Sequence, residues 1–186
     1  MTTRIEKDFY FQTAVHFENK FYVNSYDMTL SMLVETDSIR EQNVAMDRTT
    51  HFLTSVLQNS IFVGPSDADA GRKYKDAGIK VCELPEEPYD QIVSMVLLQK
   101  LNAIMEGRLR ITDLMLGSAM SEGVRFTMVS EIAEGVLAGN YWWNKSTICL
   151  NNDEASNVNT KTNIVKLFDD SHWVDLGLSW KEKGKK

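Results

Sequence analysis

Between residues 8 and 17, Phe9, Phe11, Thr13, Val15 and Phe17 alternate with Tyr10, Gln12, Ala14 and His16. Period two predicts a strand with an aromatic-rich face. Residues 27–35 repeat the pattern, with Met28, Leu30, Met32 and Val34 on one side. The connector, 18–26, is short enough for a hairpin, and its own aromatics point to extended pairing within it. A short amphipathic helix follows over 47–59, capped by Asp47 or Thr49, with Phe52, Leu53, Val56 and Leu57 as its apolar face. A longer helix is predicted over 88–106. Pro88 suits its first turn, Glu86, Glu87 and Asp90 suit the positive end of its dipole, and Gly107 closes it. Two more strand-like runs occupy 108–116 and 123–132. The order predicts an α+β unit, ββααββ, in which an antiparallel sheet carries two helices on one face.

Residues 62–75 are rich in Gly, Pro and Asp and read as a loop. Asp67 and Asp69 resemble a fragment of a calcium loop, but its glycine and distal Glu are missing at the required spacing. Gly64 and Gly71 do not make a phosphate loop, since no Gly-Lys-Ser/Thr follows. After residue 132 the pattern weakens. We divide the chain into an α+β domain, 1–134, and a C-terminal extension, 135–186, with an aromatic-rich segment, a last strand-like run at 163–168 and a basic tail. Trp142, Trp143, Trp173 and Trp180 are either interface anchors or ordinary packing of that extension.

Composition narrows the classes. Hydrophobic content of 43% and charged content of 25% are those of a globular chain with a sizeable core. The net charge of −6 argues against broad binding of nucleic acid, which needs clustered Lys and Arg. Cys82 and Cys149 form no CxxC pair and read as small buried hydrophobes in strand-like runs. With no apolar leader and no run of the length a membrane span needs, the expectation is a cytoplasmic protein without membrane contact.

Three segments carry a resemblance. Residues 11–16, Phe-Gln-Thr-Ala-Val-His, are similar to the opening strand of the tunnelling-fold (T-fold) superfamily of 6-pyruvoyl tetrahydropterin synthases, which ends in a zinc-binding histidine. Pro88-Tyr89-Asp90-Gln91-Ile92-Val93 resembles the start of that family's second helix. Arg110-Ile111-Thr112-Asp113 resembles the strand whose Glu grips the pterin ring. The resemblance spans roughly residues 8–132. It implies a homo-oligomer, a pterin- or purine-like ligand where subunits meet, and Asp113 as its carboxylate anchor, with Glu131 as a second candidate.

The zinc ligands are not carried over. Where the family has His-Gly-His, this chain has Asn24-Ser25-Tyr26, and His16 alone remains. One imidazole does not hold a catalytic zinc, which needs about three protein ligands. The family's nucleophilic cysteine is also missing, so no metal, no cofactor and no legible catalytic set are expected. Asn24 and Tyr26 are candidate hydrogen-bond partners for a ligand, though a turn explains them equally well, and His16 is a candidate pocket wall. Three functions follow: a zinc-free, divergent T-fold binder of a heterocycle; a non-catalytic oligomeric scaffold; or an unrelated α+β enzyme using His16 or His51 as a base.

Overall fold

The computed structural model describes residues 3–130 and 137–156. β1 (Arg4–Phe17) and β2 (Lys20–Val34) form one long antiparallel hairpin. Its turn is Glu18 and Asn19 alone, both left-handed, with φ of 51° and 59°. Two such residues match the twist of the strands they join. The connector is therefore mostly strand, with Phe21, Tyr22 and Tyr26 paired against His16, Val15 and Phe11.

The first helix begins earlier than the apolar pattern predicts. α1 (Ile39–His51) is capped by Ser38, whose side chain accepts the Glu41 N–H; Asp47 and Thr49 lie inside the helix and cap nothing. Ala45 and Thr49 are its buried residues, so its first turns carry no apolar stripe to read. A π-helical turn, Phe52–Leu57, continues it and delivers the predicted face, with Phe52, Leu53 and Leu57 buried and Val56 against the core.

The stretch 62–75 is not a loop. β3 (Ile61–Val63), a 3-10 turn at Pro65–Asp67 and α2 (Ala68–Asp76) occupy most of it, and β4 (Val81–Glu83) follows. A three-residue strand is too short to show a period. α2 meets the sheet through Gly71, where a Cβ would come 3.3 Å from Val63 Cγ1. α3 (Asp90–Met105) starts two residues after Pro88 and ends in left-handed Glu106 and Gly107, with φ of 50° and 75°. β5 (Leu109–Ser118), β6 (Arg125–Val129) and a short α4 (Asn152–Ser156) follow, with 3-10 turns at Ala119–Ser121 and Trp142–Asn144.

The sheet runs β4–β3–β1–β2–β5–β6. β1, β2, β5 and β6 are antiparallel neighbours, as predicted. β3 joins β1 in parallel, and β4 joins β3 in parallel, so the sheet is mixed. The main core lies between one face and the α1, π-turn and α3 layer; Phe9, Phe11, Met28, Leu30, Met32, Leu114 and Leu116 face it. α2, absent from the sequence reading, covers part of the opposite face, where Ala14, Ile61, Val63 and Val81 pack with Tyr74. The rest of that face is open: Tyr10 and Val23 keep 74% and 75% of their surface. One open face is normal for an antiparallel sheet.

Trp142 and Trp143 of the extension pack into the same main core, while Trp173, Trp180 and the run 163–168 lie outside the described residues. Cys82 sits in β4 as its pattern predicts, whereas Cys149 lies outside any strand; both are buried free thiols. Among the described residues no helix is long and apolar enough to cross a membrane.

Candidate functional site

The hairpin register decides which candidate residues meet. Thr13 pairs with Asn24, Phe11 with Tyr26 and His16 with Phe21. Alternation then turns Thr13, Asn24 and Tyr26 toward the core face and His16 toward the other. Tyr26 is 2% exposed, its ring stacked on Phe11 at 5.0 Å. Its hydroxyl lies beside Thr13 and Asn24 but has no aligned hydrogen bond. Burial, with the nearby Asp90 charge adding, pushes its phenol far above the ordinary value.

Asn24 opens onto a cleft of about 350 Å³ at the N-terminal end of α3. Its walls are Val15, Pro88, Tyr89, Asp90, Met120, Ser121, Val124 and Phe126. Asn24 Oδ1 accepts the Met120 N–H at 3.2 Å, which fixes the amide. Ser118 donates its hydroxyl to Asp90 Oδ2 at 2.6 Å, which fixes the carboxylate. Burial raises the Asp90 pKa, and the Ser118 bond opposes that rise. Tyr89 keeps 59% of its surface exposed and meets Phe17 edge-on at 5.4 Å. The cleft thus combines a half-buried carboxylate, an amide and two aromatic walls.

The other predicted residues lie elsewhere. Asp113 pairs with Ser31, five positions along β2 from Tyr26, roughly 17 Å away. It sits on the open face, since Leu114 and Leu116 face the core, and its Oδ2 accepts from Arg4 Nη2 at 3.2 Å and Thr112 Oγ1 at 2.8 Å. His16 is buried under α2, with Nδ1 3.3 Å from Asp67 Oδ2 and its ring edge-on to Tyr74 at 5.6 Å. His51 follows in α1, far along the chain and in another layer. Glu131 lies outside the described residues. Asn24 and Tyr26 therefore come together, while Asp113 and His16 join neither them nor each other.

The zinc that the resemblance brings with it does not fit. Thr13, Asn24 and Tyr26 are neutral oxygen donors, and the imidazole points away through the sheet. Among the described residues no group of three or more His, Cys, Asp or Glu is placed to hold a metal ion. A larger depression of about 540 Å³ crosses the uncovered face beside Tyr10, Gln12 and Asp27. Its carboxylate, Asp27, is held by Arg125.

Two residues with site-like chemistry escaped the sequence reading. Asp90 passed as a helix-dipole residue, although it stands in the segment that carries the resemblance. Lys100 is the only charge in α3 after Asp90, and that isolated charge was the available signal. It is fully buried.

No protein-family model and no curated protein matches the sequence. Solved structures do match. An uncharacterized protein, WS1659 from Wolinella succinogenes, aligns with a TM-score of 0.51 at 8% identity, over 70% of this chain and 99% of that one. This chain shares its overall fold with that Wolinella protein. The 6-pyruvoyl tetrahydropterin synthase of Plasmodium vivax aligns with a TM-score of 0.45 at 8% identity, over 69% of this chain and 97% of that one. At 8% identity the likeness to the Wolinella protein concerns architecture and carries no activity with it.

Proposed function

We propose that the chain is a zinc-free T-fold protein that binds a small planar nitrogen heterocycle, pterin- or purine-like, in the cleft at the start of α3. The observation that carries this reading is the pairing of a fixed carboxylate, Asp90, with a fixed amide, Asn24, between the aromatic walls Tyr89 and Phe126. A carboxylate accepts adjacent ring and exocyclic N–H groups as strong, charge-assisted bonds. An aromatic wall stacks on the ring face. The volume is near the lower end for ligand sites and suits a single bicyclic ring. Asp90 therefore replaces Asp113 as the anchor.

Association of copies is part of the same proposal. β1 has no strand partner on its outer side over residues 4–10, and β6 none on its outer side, among the described residues. Open edges are templates for pairing with another strand. A ligand-free oligomeric scaffold is the second reading, favoured by the Arg4–Asp113 contact, which already engages the carboxylate the resemblance assigned to the ligand.

Thermal unfolding with added pterin, guanine and GTP tests the binding. At about 100 times its dissociation constant a binder stabilises the fold by roughly 2.7 kcal/mol. The shift is expected to vanish in Asp90→Ala and to persist in Asp113→Ala. No shift with any of the three compounds leaves the scaffold reading, and light scattering then reports whether copies associate at all.

A further inference from the structure

Lys100 has no part in the cleft, yet it is the most completely enclosed charge among the described residues. Its side chain rises from the middle of α3 into the segment 137–156. There the ammonium donates to the carbonyl oxygens of Trp142, Lys145 and Thr147, at 2.8, 2.9 and 2.5 Å, and lies 5.3 Å from the Trp142 ring. An ammonium has three donors, and here each has a carbonyl. Arg48 adds a bond to the Ser146 carbonyl at 2.8 Å. The segment is thus wound around a cation supplied by the helix.

The same segment grips β4. The Glu83 N–H donates to Leu150 O at 3.1 Å, and Trp142 Nε1 donates to Glu83 O at 2.9 Å. Asn151 Nδ2 reaches Val81 O at 3.3 Å. Lys75 bridges Glu83 and Asp153 at 2.6 and 2.8 Å. The outer edge of β4 is therefore occupied by the chain itself. β4 leads directly, through residues 84–89, to Tyr89 and Asp90 of the cleft.

We propose that 137–156 is a brace that fixes the β4–α3 connection, that the Lys100 ammonium is its fastening, and that Lys100 is thereby a positioning residue for Tyr89 and Asp90. The part concerning the cleft rests on the heterocycle-binding reading; the brace itself does not. Backbone N–H and C=O of Glu83 both bound by the segment hold that strand against sliding, and loss of the ammonium releases the Trp142, Lys145 and Thr147 carbonyls, buried or half-buried, at once.

The test is hydrogen exchange on the full chain carrying Lys100→Ala, with and without propylammonium, which supplies the missing three carbons and the charge. Protection is expected to fall at least tenfold across both 142–151 and 81–90, and to return with propylammonium. Wild-type protein is expected to ignore the additive. Opening of 142–151 with 81–90 still protected overturns the brace, and no change in either overturns the fastening. If Lys100→Ala does not fold, Trp142→Phe deletes the bond to Glu83 O while leaving Lys100 in place. Protection at 81–90 is then expected to drop, and an unchanged value overturns the proposal. Pterin affinity measured on the same samples separates the two readings: no binding by wild type sinks the heterocycle and leaves the brace result standing.

Discussion

Tyr26 carries a buried hydroxyl without an aligned partner, and such a group costs about 1–3 kcal/mol. Tyr26→Phe is therefore expected to leave stability unchanged or raise it by about 1 kcal/mol, read from denaturant melts. A loss above about 2 kcal/mol would mean that the hydroxyl is bonded. Lys100 makes a second prediction. Desolvation outweighs its favourable contacts and lowers its pKa from 10.5 to about 8. Between those values the unfolded chain binds more protons than the folded one, so stability rises with pH across that window, by roughly 3 kcal/mol in all. Below pH 8 both states are protonated and the contribution is flat. The raised Tyr26 phenol acts the other way above pH 10, where the unfolded chain ionises first. Unfolding free energies from pH 7.5 to 11 are expected to climb and then fall; Lys100→Met is expected to remove the climb. The Arg4–Asp113 pair is half-exposed, and Asp113→Ala is expected to cost less than about 1 kcal/mol.

The long antiparallel strands were legible because alternation over ten or more positions leaves a mark that side-chain chemistry does not blur. α3 was legible for its start signals and its left-handed end, although burial nearly all round hides any single apolar stripe. α1 was misplaced because its outer turns are polar, yet Ser38 followed by Glu41 is a cap signature standing in the sequence. Ser38→Ala is expected to cost about 0.5–2 kcal/mol in thermal or denaturant unfolding, and Asp47→Ala no comparable amount. β3 and α2 escaped because a three-residue strand and a nine-residue polar helix fall below the length at which a period can be recognised, whereas β4 showed only as the strand-like run around Cys82. The cleft was half legible: Asn24 and Tyr26 were singled out, but the β1–β2 register that turns His16 away from them is fixed by a two-residue turn at Glu18 and Asn19.

At the scale of the whole molecule, one sheet with its main helical layer on one face and α2 on part of the other holds the cleft at the junction of hairpin, α3 and the turn after β5. The extension covers β4, while part of β1 and β6 keep free outer sides among the described residues. Association through those free sides is expected to extend the sheet from one copy to the next, and dilution monitored by light scattering checks it. The central claim is that the ligand enters beside Asn24 and Asp90. Titration of isotope-labelled protein with pterin, following every backbone amide, tests it most directly. Saturable shifts at residues 24, 89–90 and 118–121, with residues around Asp113 unmoved, are the predicted result. Shifts centred on Asp113, or none at saturating pterin, would contradict it.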